Sequence, residues 1–383
     1  MKTVSQEENG RAALGTLLRE HFEWMHRHPE LSFEETETTK HVRDVLVAHG
    51  VRILDVPMKT GLVAEVGHGA PIIALRADID ALPITEATGL PYASECPGKM
   101  HACGHDFHTT AVLGATLLLK AHESELRGTV RIVFQPGEEA PGGAKVVLDT
   151  GCLADVKAMF GLHCSPRLEA CTIGITAGAL TASVDRFTIR FLGRGTHAAH
   201  PEAGIDPIVC AAAFIQAAQT IVSRNVEPFD AGLVSITHVE AGNTWNVIPD
   251  AALVEGTTRS MTAANRKLIK ERLYALAEGV AAAHGAAVDI DWYAGPPATD
   301  NTAAWADLAK ETAEAQQLTV VKAPPSLAGE DFAFYQETIP GAFVLVGTGK
   351  SAANHNPQFR VDPAALLPTA AYLAELAKRA MDA

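Results

Sequence analysis

The sequence is short of aromatic residues, of positive charge and of unbroken apolar runs. Phe, Trp and Tyr make up 6% of its 383 residues, so aliphatic side chains must fill its cores. Lys and Arg number 31 against 45 Asp and Glu, and the formal net charge of -14 argues against a nucleic-acid partner. No apolar run approaches the roughly 20 residues that span a bilayer. The Ala-rich stretch 208–218 is interrupted by Gln216 and followed by Gln219, which suits a packed helix. Residues 1–12 are polar and lack the apolar centre of a secretory signal, so a cytoplasmic protein is expected. The six cysteines, Cys96, Cys103, Cys152, Cys164, Cys171 and Cys210, are scattered through a chain long enough to need no disulfides. Most read as small buried apolar residues in a reducing compartment, with Cys103 the exception.

Cys103 belongs to the stretch Met100-His101-Ala102-Cys103-Gly104-His105-Asp106. A Cys-x-His turn can aim sulfur and nitrogen at one metal region, and Gly104 can take the backbone angles such a turn needs. Thiolate with imidazole favours zinc or a comparable transition metal over calcium or magnesium. Around this turn, buried-strand patterns end in charged residues. The run 72–77 delivers Asp78 and Asp80, of which Asp80 reads as a turn-capping residue. The run 129–134 ends in Gln135-Pro136-Gly137-Glu138-Glu139, and 156–162 ends at His163. Continuous apolar strands with reactive groups at their ends are the habit of open α/β sheets. One acid of the Glu138–Glu139 pair can hold a metal while the other handles a proton, although spacing does not say which. A solvated loop is the plain alternative. Helical periodicity appears over 11–28, 34–50, 108–120, 301–318 and 363–379.

The rhythm changes near residue 182. Strands at 184–191, 233–239, 252–258 and 288–293 alternate polar and apolar positions, and helices at 207–222 and 265–284 separate them. Strand–helix–strand–strand–helix–strand is the ferredoxin-like α+β order. The expected organisation is therefore an α/β, mostly parallel-sheet domain of residues 1–181 and 294–383, with an inserted α+β domain of residues 182–293.

Taken together, the motifs resemble peptidase family M20, in its branch of N-acyl amino acid amidohydrolases that includes hippurate and auxin-conjugate hydrolases. The matching stretches are Trp24-Met25-His26-Arg27-His28-Pro29-Glu30-Leu31-Ser32, Leu75–Ile84, Met100–Asp106, Gln135–Glu139, Asn246-Val247-Ile248-Pro249, Gly329-Glu330-Asp331-Phe332 and His355-Asn356-Pro357. The resemblance implies a di-metal hydrolase domain with an inserted dimerisation and lid domain, active as a homodimer or a tetramer on a small-molecule substrate. It implies that Cys103, His105, Glu139, His163 and His355 hold two divalent ions (manganese or zinc, with cobalt or nickel as further options). Cys103 would bridge them, with His105 and His163 completing one site and Glu139 and His355 the other. Glu138 would be the general base, and Asp78 would support the metal shell. Arg76 stands where other branches carry a ligand histidine, and His105 supplies the missing imidazole. His197, Asn246, Arg259 and Gly329 match positions at the substrate, with His197 reaching the partner subunit's active site.

Two departures are visible: Gly137 replaces the usual Ala, and Thr196 replaces a Gly before His197. The resemblance thus implies metal-dependent hydrolysis of an N-acyl amino acid. A metallo-exopeptidase of the same fold is the alternative, and a non-catalytic ligand-binding protein on the scaffold is a further one.

Overall fold

The computed structural model describes residues 4–383. The chain divides into two compact units. The larger gathers the residues through Gly178, Asp300–Pro324 and Phe334–Ala383; the smaller comprises Ala179–Thr299 and Pro325–Ala333. Gly329, which follows the inserted segment in sequence, therefore groups with the smaller unit.

The larger unit is built on one eight-stranded sheet. Its strands are β1 (Arg52–Ile53), β2 (Leu62–Gly67), β3 (Ile72–Asp78), β4 (Thr129–Gln135), β5 (Ala158–Ser165), β6 (Thr172–Ile175), β7 (Thr319–Lys322) and β8 (Gly341–Gly347). They lie in the order β1-β2-β4-β3-β5-β8-β6-β7. The centre, β4-β3-β5-β8, is wholly parallel, while β1 on β2, β2 on β4 and β6 on β8 pair antiparallel. Every residue of β2 and β4 is buried, because helices cover both faces and no side of these strands needs a polar row. The helices of this unit include α1 (Val4–Arg27), α2 (Thr36–Ala48) and α3 (His105–Ala121). The turn beyond β3, the loop after β4, His163 in β5 and the loop after β8 all lie towards the carboxyl edge of these four parallel strands, the usual place for a site in such a sheet.

The smaller unit has an antiparallel sheet ordered Gly232–Ala241, Ala251–Ser260, Ser183–Leu192, Ala287–Ala294. Burial alternates along Ser183–Leu192, with Phe187, Ile189 and Phe191 inward. They meet Cys210 and Phe214 of helix Pro207–Asn225 and Ile269 and Leu273 of helix Ala263–His284. One face is thus a core and the other is open, as the alternation predicts.

Candidate metal centre

Cys103 lies in the turn that enters α3, and Gly104 makes this turn possible. Its φ is 85°, in the left-handed region, and a side chain there would land on the Cys164 sulfur. The helix begins at His105, three residues before the apolar periodicity predicts, because its first turn buries polar groups instead: His105, Asp106 and His108. His105 and His108 are one turn apart and share the face towards the end of β3.

The acids after β3 frame the centre. Asp78 accepts a hydrogen bond from Arg76 Nη1 at 2.7 Å, and its other oxygen lies 2.6 Å from His108 Nδ1. His108 Nε2 accepts the Cys164 amide at 2.8 Å, so the ring carries its proton on Nδ1 and both nitrogens are engaged. Burial lowers this imidazole to about 4 and keeps it neutral. Burial alone would raise Asp78, but His105, His108 and Arg76 hold its carboxyl well below the usual range. Asp80 does hold a turn, though one far away in sequence. It accepts the amides of Glu138 at 3.1 Å and Glu139 at 3.0 Å and the Ser32 hydroxyl at 2.6 Å, and it lies 3.2 Å from His105 Nδ1. One carboxylate thereby sets both the acid pair and the imidazole, leaving His105 Nε2 to face the centre.

Two overlapping triads result, and they share a sulfur. Donor atoms of Cys103, His105 and His163 lie within 4.8 Å of one another, as do those of Cys103, Glu139 and His355. Cys103 Sγ is 3.3 Å from His163 Nε2, while His163 Nδ1 is turned to the Cys164 carbonyl at 2.8 Å. His105 Nε2 stands 4.0 Å from an oxygen of Glu138 and 4.0 Å from one of Glu139. Two further groupings run through His108, whose nitrogens are already bonded, and another joins His105, Glu138 and Glu139.

The donors fit a metal ion on three observations. His105 Nε2 is buried without a hydrogen bond, and buried Glu139 Oε1 is met by His355 Nε2 at 3.1 Å and by His105 Nε2 at 4.0 Å, both candidate ligands themselves. Burial pushes the Cys103 thiol well up, and the charge of Glu139 adds to the effect, so a thiolate there needs a cation beside it. Burial disfavours charge on His105 too, yet Asp78 and Asp80 outweigh it and raise the ring's pKa. Acids that draw a proton to this nitrogen draw a cation as well. Sulfur, imidazole and carboxylate in one cluster suit a divalent transition metal.

Residues 74–379 match the peptidase family M20/M25/M40. The chain belongs to that family. It is 48% identical over 356 residues to an N-acetylcysteine deacetylase of Bacillus subtilis (strain 168), covering 92% of this chain and 94% of that one. It is 39% identical over 379 residues to the IAA-amino acid hydrolase ILR1-like 5 of Arabidopsis thaliana, covering 94% and 87%. Among solved structures it matches the Bacillus subtilis YXEP protein, titled a dinuclear metal binding peptidase from the M20 family. That match has a TM-score of 0.89 and 44% identity, and covers 97% of this chain and 99% of the other.

The remaining residues named from the sequence lie in the smaller unit of this M20 chain, in two groups. His197 pairs with Val247 across a short two-stranded ladder, and the neighbouring Asn246 carbonyl accepts the Ala198 amide at 3.0 Å. Thr196 is turned aside, its hydroxyl donating to the His200 carbonyl at 3.3 Å. Arg259 lies opposite Val184 at the other end of the sheet, donating to the Thr258 carbonyl at 2.9 Å and to the Thr257 hydroxyl. Gly329 abuts Val184 so closely that a side chain would collide with it. The Ser183–Leu192 strand separates the two groups by about 25 Å at ~3.3 Å per residue, so within one chain they do not converge.

Two residues of the centre are not read from the sequence. His108 is marked by its helical spacing from His105. Asn354, whose amide donates to the Cys103 carbonyl at 3.4 Å, carries no comparable signal.

Proposed function

We propose that the chain is a metal-dependent amidohydrolase that cleaves N-acyl amino acids into a carboxylic acid and a free amino acid. The observation that carries this reading is the pair of triads sharing Cys103, with Glu138 fixed beside them by Asp80. The names of the similar proteins, which speak of N-acetylcysteine and IAA-amino acids, support the same bond type.

Cys103, His105 and His163 would hold one divalent ion, and Cys103, Glu139 and His355 the other, with manganese or zinc as the leading choices. When bound, two such ions polarise an amide carbonyl and acidify water. Glu138 takes a proton from the attacking water as its oxygen bonds to the carbonyl carbon, then gives it to the amine nitrogen as the C–N bond breaks. Asp78, clamped by Arg76 and His108, keeps negative charge 3.7 Å from His105 Nε2. Arg259 offers a guanidinium fork suited to the substrate carboxylate. His197 supplies a donor to the developing oxyanion.

The separation of His197 and Asn246 from Arg259 and Gly329 supports a dimer in which His197 serves the partner copy. So does an exposed apolar set, Ile208, Val209, Val239, Trp245 and Val247, near the edge strand Gly232–Ala241. The six unpaired thiols support a cytoplasmic setting.

A hydrolysis screen tests the reading: acetyl, benzoyl and indole-acetyl conjugates of several amino acids, offered to manganese- and zinc-loaded protein beside free-amine dipeptides. Acid release from the conjugates is expected, and faster turnover of the dipeptides would replace the reading with an exopeptidase. Refolding His197→Ala together with Glu138→Gln should restore part of the activity; inactive heterodimers would place His197 outside the site.

A further inference from the structure

His26 belongs to a sequence motif to which the proposed chemistry gives no role, yet it makes some of the most buried polar contacts in the larger unit. The residue is 4% exposed, and its ring lies between two carboxylates. Nδ1 is 2.6 Å from Asp106 Oδ2, and Nε2 is 3.3 Å from Glu86 Oε1. Ionised carboxylates only accept hydrogen bonds, so the ring donates from both nitrogens and is an imidazolium. Burial opposes this charge, but the bonds to Asp106 and Glu86 reverse it and bring the ring to about 9.

The two carboxylates anchor different pieces of the centre. Asp106 follows His105 in the first turn of α3. Glu86 lies in the segment 82–100, which begins just after Asp80 and ends just before Cys103. Glu86 organises that segment by accepting the Ser94 amide at 2.6 Å and the Thr88 hydroxyl. Leu82 and Met100 close it with two backbone bonds of 3.0 Å each. Next to Glu86, the Ala87 amide donates to the Pro357 carbonyl at 2.8 Å, in the loop that carries His355. The His355 amide in turn donates to the Ala102 carbonyl at 2.8 Å. His355 needs such support: its side chain is 52% exposed and its φ is 65°, whereas Cys103 and His105 are buried in the turn and helix.

We propose that His26 and Glu86 are positioning residues that, through Asp106 and the 82–100 segment, hold the His355 loop at its working distance from Cys103 and Glu139. This rests on the reading of the two triads as metal sites. Loss of the clamp then frees the ion of the Cys103–Glu139–His355 triad and leaves that of the Cys103–His105–His163 triad in place. A residue that merely stabilises the fold would weaken both equally.

The test follows zinc transfer from the full-length protein to a chromogenic chelator, with metal content per subunit measured before and after. Wild type should hold two ions and release them in two phases. In His26→Gln and Glu86→Gln, one phase should quicken about ten-fold while the other stays within two-fold. Adding Glu86→Gln to His355→Ala should change nothing further, because that ion is already lost. Unchanged release, or equal quickening of both phases, overturns the proposal. Should His26→Gln fail to fold, Glu86→Gln decides alone, since it conserves volume and keeps an oxygen for Ser94. A wild type that never holds two ions would instead overturn the reading of the centre itself.

Discussion

The two sheets solve opposite problems. The eight-stranded sheet hides the faces of its central strands and gathers, towards their carboxyl edge, polar groups held by other buried polar groups: Arg76 by Asp78, Asp78 by His108, His108 by the Cys164 amide. The four-stranded sheet hides one face only; Arg259 on it, and His197 in the separate two-stranded ladder of the same unit, are held mainly by backbone and local contacts. Metal donors need fixed positions before anything binds. On the proposed function, His197 and Arg259 close on a substrate and need freedom instead, which a half-exposed sheet with loops at both ends provides.

The sharpest way to break this contrast is to exchange acid for amide on adjacent residues. Glu138→Gln should lower kcat by roughly 10²–10⁴-fold, the range of a general base, while metal content by mass spectrometry stays at the wild-type value. Glu139→Gln should lose metal first. Reversed outcomes would exchange the two roles. Next in size is Arg76→Met. Removing one partner of a buried ion pair costs about 3–5 kcal/mol, visible in urea unfolding of the metal-free protein. His197→Ala should do the opposite, changing unfolding by no more than ~0.5 kcal/mol as exposed sites do while turnover falls. Equal stability losses in the two variants would erase the distinction between the sheets.

A smaller effect is expected at Gly137→Ala. Gly137 has φ 65° and faces the Phe33 ring, so an alanine should cost about 1 kcal/mol and disturb the acid pair that follows. The smallest concerns Glu255, half-buried on the small sheet and lowered to about 2 by His238, Arg186 and Thr188. Its contribution is complete above the unfolded carboxylate value near 4.5 and fades as pH falls towards 2. Glu255→Gln should therefore narrow the difference in stability between pH 6 and pH 3 only slightly, as surface pairs do.

What could be foreseen follows from periodicity and local spacing. Apolar runs ending in Asp78, Gln135 and His163 identified the central strands, because burial on both faces leaves an unmistakable composition. The alternation in residues 184–191 identified the second sheet. By contrast, β6 and β7 are four residues each, with Gly174 in the middle of one and exposed ends on the other, and neither has a pattern to detect. The start of α3 was misplaced because polar groups satisfied by distant partners look, in sequence, like a loop. The double duty of Asp80 is likewise a matter of tertiary contact: the Glu138 and Glu139 amides reach it from 58 and 59 residues away.

Gly104 and Cys164 form one steric unit. The sulfur fills the space that a side chain on Gly104 would need, and it donates to the Cys103 carbonyl at 3.0 Å. Anyone stripping background thiols to attach a probe at Cys103 alone cannot treat position 164 as neutral. Alanine there leaves a void beneath the turn, and valine presses a methyl group towards Gly104. Serine, which keeps a donor in less volume, is the replacement that best preserves the geometry to be labelled.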